Sequence, residues 1–292
     1  MNKRLFYIFL AIAALFPANA FSRDFPFAGG EEVTYVIHYK WGISADIGEF
    51  KVKTSEITES GAPAYHIVTD IATYRGWDTF FKVRDRYESK FRGDGQLTPL
   101  YFHRDVREGS FWAKNWFSWE NGATTMHCKV DKKGYPHREF TFHEKTIIRD
   151  VMNLFYTTRA ADLSGMEGGR RATYVICMDK DLVNVAVRVI KREEKKISGM
   201  GKFNTIKLGV SLNVRRTKGT EDNKENSRFS IDASEAKSGE EGVFYGEEKI
   251  FIWLSDDENR IPLYFSAPVA VGSINGRISS YGGLKYPLSS KK

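Results

Sequence analysis

Only two cysteines, Cys128 and Cys177, occur in 292 residues, so a fold stapled by several disulfides is excluded. No G-x-S-x-G elbow and no Gly-rich phosphate loop is present, which removes the common signatures of acyl and phosphoryl transfer. The sequence "SEAK" at 234–237 matches S-x-x-K, but it falls in a polar stretch and carries no specificity. Beyond Ala20 no apolar run approaches the ~20 residues that a spanning helix needs. Blocks of like charge are also missing. The formal net charge of +7 is spread along the chain, which points to an ordinary solvated surface and not to a nucleic-acid-binding face. A basic excess suits an acidic partner such as an anionic lipid or a polysaccharide, and a surplus of lysine without function fits it as well.

The chain opens with a basic segment at Lys3 and Arg4, an apolar run from Leu5 to Phe16, and the small-x-small sequence Ala18-Asn19-Ala20. That is the layout of a secretory signal peptide cleaved after Ala20, leaving 21–292 as a periplasmic or secreted protein. A transmembrane anchor is the alternative, and the run is too short for it. No cysteine lies at the cleavage point to accept a lipid anchor. In such a compartment Cys128 and Cys177 could close a loop of about 50 residues, worth about 4 kcal/mol in the chain-entropy model. Two buried thiols on separate strands are the other reading, and the sequence leaves both open.

Alternation of apolar and polar residues dominates the rest of the chain. It appears in "VTYVIHY", "GEFKVKT", "YHIVTDI", "FFKVRDRYESKF", "LYFHRDV", "FWAKNWFSW", "TMHCKV", "REFTF", "TYVICM", "LVNVAVRVIKRE", "FNTIKLGVSL", "KIFIWL", "IPLYF" and "SINGRISSY". These read as half-buried strands joined mostly by short Gly, Asn or Asp turns, hence antiparallel β structure. One segment, 146–162, has helical spacing. Ile147/Ile148, Val151/Met152 and Phe155/Tyr156 form adjacent ridges, with Arg149, Asn153 and Thr157 turned away. Such a helix packs its stripe on the concave side of the sheet. Residues 213–241 are polar, mixed in charge and too poor in apolar groups to offset the cost of ordering, so they read as an insertion within one domain. A domain linker is the alternative, disfavoured because strands of the same kind flank it.

Candidate chemistry is sparse. Asp256-Asp257-Glu258-Asn259 sits between two strands; without alternating ligands or a glycine it reads as a turn and not as a calcium loop. His127, Cys128, His137 and His143 lie close in sequence, but His127 and Cys128 point to opposite faces, and no metal site is expected. Asp78, Asp85 and Asp105 are candidate carboxylates for glycoside cleavage, each with a neighbouring arginine that explains it as a surface ion pair. The aromatic residues between 77 and 119 stand out. Trp112 and Trp116 fall on one face of their strand and Phe111, Phe117 and Trp119 on the other, so one set fills the core and the other needs a reason.

With "WDTFFKVRDRYESKF", "LTPLYFHRDVREGSF", "GKFNTIKL" and "IWLSDDENRIPLYFSAPVAVGSINGRISSY" in this order, the chain resembles the exported bacterial proteins of domain-of-unknown-function family 3108. The resemblance covers nearly all of 21–292 and implies a strongly curved sheet holding helix in its concavity, similar to the periplasmic lipoprotein-carrier half-barrels. It implies no catalytic residues. The insertion at 213–241 departs from the family, so a shared function does not depend on it.

The expectation is therefore a mainly β fold. A large curved antiparallel sheet, half-barrel or open barrel, carries one amphipathic helix on its concave face. The function expected is non-enzymatic binding of an apolar or lipid-like ligand in that concavity, with Trp77, Phe80, Trp112 and Trp116 as ligand-binding residues and with no cofactor or metal. Expected partners are a lipid or other amphipathic ligand and an envelope protein or polysaccharide; membrane contact is peripheral at most. A periplasmic hydrolase using the aromatics as sugar platforms is the alternative, and a structural role in an envelope assembly a third.

Overall fold

The computed structural model describes residues 24–179, 181–215, 248–269 and 272–292. The expected leader, 1–20, lies outside the described residues. Of the insertion expected at 213–241, residues 213–215 instead continue a strand paired with Leu182, Val183 and Asn184, and 216–241 lie outside the described residues.

Fifteen strands form one sheet. They are β1 Glu32–Trp41, β2 Ile43–Glu59, β3 Ala62–Thr73, β4 Arg84–Arg92, β5 Pro99–Glu108, β6 Phe111–Glu120, β7 Thr125–Lys132 and β8 Arg138–His143. They continue as β9 Ile148–Arg149, β10 Ala172–Met178, β11 Asp181–Ile197, β12 Gly201–Arg215, β13 Ile250–Ser255, β14 Pro262–Pro268 and β15 Ser273–Gly282. The spatial order runs β8-β7-β6-β5-β4-β3-β2-β1-β15-β14-β13-β12-β11-β10-β9. Neighbours are antiparallel except β9 and β10. The sheet is therefore mixed at one edge and stays open, with short β8 and β9 as its two edges. It curls until β10 and β11 lie over the inner face of β5 to β7. There Val175, Cys177 and Leu182 share a core with Phe102, Phe117, Met126 and Cys128. The alternation read from the sequence is what permits this curl: each strand has one apolar face, and the open barrel points all of them inward.

The helix α1, Val151–Ala160, lies inside the curl. It is shorter than the 146–162 expected from spacing, because Asp150 caps it and accepts a hydrogen bond from the Asn153 amide at 2.8 Å. The preceding Ile148 and Arg149 pair with β10 instead. The expected face is also corrected. Arg149 and Asn153, expected outside, are 7% and 0% exposed, whereas Val151 is 42% exposed. A helix enclosed by a curved sheet is buried on most sides, so its polar residues find internal acceptors. The Arg149 guanidinium donates to Asn153 Oδ1 at 2.6 Å, and both residues donate to the Leu97 carbonyl. The ring that fills the core is that of Tyr156, 0% exposed, with its hydroxyl on Thr54; Phe155 beside it is half-buried.

Antiparallel connections place the turns at two rims. The turns after β1, β3, β5, β7, β10 and β14 stand at one, here the Trp41 rim. Those after β2, β4, β6, β11 and β13 stand at the other, the Asn259 rim. The Asn259 rim is sealed. Phe25 and Phe27, at 1% and 0% exposure, enter it and stack at 5.4 Å. The acidic run of 256–259 is a turn in the structure, as expected. Asp257 Oδ1 accepts the amides of Asn259 and Arg260, and its other oxygen accepts the Ser290 amide. Asn259 exchanges hydrogen bonds with the Tyr286 backbone, both at 2.9 Å. Asp257 and Asn259 brace the C-terminal segment. Gly283 completes the seal at φ +63, where a Cβ would stand 1.9 Å from the Gly30 carbonyl.

Candidate functional site

The four sequence-predicted residues do not converge on the concavity. Trp112 and Trp116 lie on the outer face of β6, because Ala113, Asn115 and Phe117 are the residues turned inward. Trp112 is 40% exposed, and Trp116 stacks on His103 of β5 at 5.2 Å. Trp77 and Phe80 lie on no strand. The "FFKVRDRYESKF" strand begins only at Arg84, since 74–81 is wound by local hydrogen bonds from the amides of Trp77, Phe80 and Phe81 to carbonyls three and four residues back. Trp77 donates its indole N–H to the Asp46 carbonyl and packs on Phe80, which is 80% exposed. Both belong to the Trp41 rim.

The expected carboxylates are likewise divided. Asp78 is held in the β3–β4 connection by Arg84 at 2.7 Å and the Thr73 hydroxyl at 2.7 Å. Asp105 is on the outer face with Arg107 and Lys114. Asp85 alone faces inward, 6% exposed. The histidine cluster also separates. His127 bonds Thr141 outside, Cys128 pairs with Phe140 across the ladder, and His137 sits at the turn between Asp131 and Glu139. No group of three or more metal-binding side chains occurs among the described residues.

Around Asp85 the structure gathers what sequence reading missed. Cross-strand pairing sets Tyr87 of β4 against Arg104 of β5, and Arg104 against Asn115 of β6. Glu108 follows Arg104 on the same face of β5, near the Trp41 rim. The β10–β11 turn folds over them. Asp179 pairs with Arg104 at 2.8 Å, and its carbonyl accepts from the Cys128 and Cys177 thiols, both free and buried in this structure. Asp85 accepts the Arg107 amide at 2.8 Å. Asn115 is 0% exposed, yet neither its amide nitrogen nor its oxygen has a hydrogen-bond partner among the described residues, and Arg104 Nε and Trp119 Nε1 are in the same condition. The walls are apolar: Tyr87, Phe102, Phe117 and Trp119 pack with Val130 and Phe140. The sequence carried a signal for this site. Arg104, Glu108 and Asn115 are polar residues at the inward phase of otherwise apolar alternations.

Burial lifts the Asp85 carboxyl to about 6 and the Glu108 carboxyl to about 7; the charge of Asp105 adds to the first shift and that of Asp85 to the second. A carboxyl raised in the folded state binds its proton more tightly there than in the unfolded chain. Its stabilising contribution is therefore present at pH below about 4 and is lost as pH rises through about 6. Asp85→Asn keeps an acceptor for the Arg107 amide and removes the titration. It is expected to flatten melting temperature against pH between about 4 and 7, a span worth about 2–3 kcal/mol for Asp85. Unchanged pH dependence in the variant would show that Asp85 is not buried as described.

An open, curved, barrel-like sheet with an enclosed helix and a buried polar cluster defines a class of β-rich folds with an internal concavity. A family model described as "Protein of unknown function (DUF3108)" matches residues 34–279, and the chain belongs to that family. No curated protein matches it. Among solved structures it is similar to a beta-barrel-like protein of domain of unknown function DUF1849 from Brucella abortus. That likeness has 10% identity and a TM-score of 0.51, covering 88% of this chain and 98% of the other. A protein with YmcC-like fold from Bacteroides fragilis, labelled as exported, matches with 8% identity and a TM-score of 0.35 over 88% and 98% of the two chains. A protein labelled a lipoprotein from Parabacteroides distasonis matches with 8% identity and a TM-score of 0.32 over 88% and 97%.

Proposed function

We propose that this chain is an exported envelope protein that binds a small amphipathic ligand on its concave face. The polar end of the ligand meets Asn115 and Arg104, and its apolar part lies along Tyr87, Phe102, Phe117 and Trp119. Export rests on the leader read at 1–20. The observation that supports binding is Asn115. An amide at 0% exposure with both polar atoms unpartnered costs about 1–3 kcal/mol per group, a cost that a ligand supplying the missing bonds removes. The charges narrow the chemistry. Arg104 is already paired with Asp179, so Asp85 and Glu108 are left to face a donor or a cation. A zwitterionic head group, with an anion near Arg104 and an amine near the two acids, complements this set.

The test uses the 21–292 chain purified without detergent. Native mass spectrometry is expected to show a bound adduct, and lysophosphatidylethanolamine is expected to raise the melting temperature. Asn115→Leu is expected to abolish both effects while leaving the unliganded protein as stable or about 1–3 kcal/mol more stable, since it deletes an unpaired amide. A wild-type protein with neither adduct nor thermal shift would end this reading. One observation favours the hydrolase alternative: Asp85 and Glu108 are two inward carboxyls with raised protonation, as acid–base pairs are. Glycan hydrolysis lost in both Asp85→Asn and Glu108→Gln would support it.

A further inference from the structure

We propose that the Trp41 rim is a membrane-docking surface that seats the molecule on an anionic lipid bilayer. The first argument is where exposed apolar side chains stand. Six large ones are exposed among the described residues, and four of them, Trp41, Tyr74, Phe80 and Trp112, are on or beside this rim. Exposures of 60% for Trp41 and 80% for Phe80 are high for rings that a monomer in water has no use for. They come from three consecutive rim turns, after β1, β3 and β5. Tryptophan and tyrosine are the side chains that favour the boundary between lipid head groups and water, having an apolar body and a polar tip.

The rim is also held in shape. The Trp77 indole is tied to the Asp46 carbonyl at 3.0 Å, the Tyr74 amide donates to the Ile47 carbonyl, and the Phe81 ring lies against Gly109 of the next turn. The Lys133 amide joins the β7–β8 turn to the Trp112 carbonyl. A surface fixed in this way presents its rings without an ordering cost on contact.

The second argument is charge, and it selects the partner. Most acids near this rim are already paired; Glu108, on the inward face of β5, is the exception. Asp46 is gripped by Arg277 at 2.7 Å and by His38, Asp78 by Arg84, Asp105 by Lys114 and Arg107, and Asp131 by His137. Lys40, Arg75 and Lys82 are exposed on the same turns and make no ion pair among the described residues. Rings that partition into an interface, ringed by uncompensated cations, complement a negatively charged lipid surface. The geometry adds a consequence. The Asp85–Arg104–Asn115 cluster lies on the inner face just behind this rim, and the far rim is sealed. Docking would turn the entrance of the concavity toward the bilayer.

The experiment is co-sedimentation of the 21–292 chain with vesicles of phosphatidylcholine alone or mixed with phosphatidylglycerol. Binding is expected only to the mixed vesicles, weakened by salt, with a blue shift of tryptophan emission. Trp41→Ser with Phe80→Ser, and separately Lys40→Glu with Arg75→Glu and Lys82→Glu, are each expected to lower partition by about tenfold or more. Tyr281→Ser, on an exposed ring away from this rim, is expected to change nothing, and circular dichroism checks that each variant is folded. Asn115→Leu is expected to keep full vesicle binding, which separates this surface from the ligand site. Absence of wild-type binding, or equal binding by the rim variants, overturns the proposal. So does a dimer in light scattering that the Trp41→Ser, Phe80→Ser variant abolishes, because the rim would then serve a second copy of the chain.

Discussion

Replacing Arg159 by Met is expected to cost about 3–5 kcal/mol, among the largest effects of any single change in this protein. Arg159 is 1% exposed at the end of α1. Its guanidinium grips Glu31, itself 2% exposed, through two hydrogen bonds of 2.6 and 2.9 Å. It also donates to the Pro26 and Asn259 carbonyls and stacks over the rings of Phe27 and Tyr156 at 5.3 Å. One side chain thus joins the helix, the N-terminal segment and the β13–β14 turn. Methionine fills most of the volume but leaves the Glu31 carboxylate buried without a counter-ion, and that uncompensated charge dominates the loss. The double variant, Arg159→Met with Glu31→Leu, removes both charges and is expected to recover part of the stability. Chemical denaturation of Arg159→Met, Glu31→Leu and the double variant measures this. A single variant costing less than about 1 kcal/mol, or a double variant that costs the sum of its parts, would show that the pair is not buried as the structure has it.

Very little of this brace can be read in the sequence, and the reason is physical. Period-2 alternation reports which face of a strand is buried, so "FWAKNWFSW" correctly separated Trp112 and Trp116 from Phe117 and Trp119. It does not report which strands meet across the concavity. Glu31 and Arg159 are 128 positions apart and lie in no shared pattern. The same limit applies to the candidate site. Of the carboxylates quoted for their chemistry, Asp78 and Asp105 lie in a connection and on the outer face and only Asp85 faces inward, whereas Asn115 looked like an ordinary polar strand residue. Its placement follows from its phase, between Ala113 and Phe117 on the inward face. A polar residue in an apolar phase was the legible clue. The helix shows the complementary failure. An amphipathic stripe assumes one wet side, and enclosure by a curved sheet gives Asn153 and Arg149 a dry one. Alternation likewise suggested a strand starting at Phe80, where backbone hydrogen bonds make a turn.

Phe27→Ala is expected to cost about 3–5 kcal/mol, as other large-to-small changes in closed cores do. Phe27 is 0% exposed although it lies only a few residues beyond the expected cleavage point at Ala20. Its ring meets Phe25 at 5.4 Å, Tyr65 at 5.0 Å and Tyr156 at 4.7 Å, and the Arg159 guanidinium lies over it. No strand of the sheet includes this segment; its two phenylalanines hold it, with the Arg159 bond to the Pro26 carbonyl, the Lys285 bond to the Phe25 carbonyl and the Tyr286 hydroxyl on Asp24. Truncating the ring leaves a cavity walled by Tyr65, Phe91 and Tyr156, strand and helix residues that cannot collapse far. Hydrogen exchange should localise the effect. Faster exchange is expected at the start of β1 and the end of α1, while β5 and β6 around Asn115 keep their protection until global unfolding. Lysophosphatidylethanolamine binding at that site should then persist in the folded fraction, because the plug closes one rim and the proposed site lies behind the other. Equal loss of protection in β5 and β6 would mean that the N-terminal plug and the Asn115 site unfold as one unit, and that the two rims are not independent.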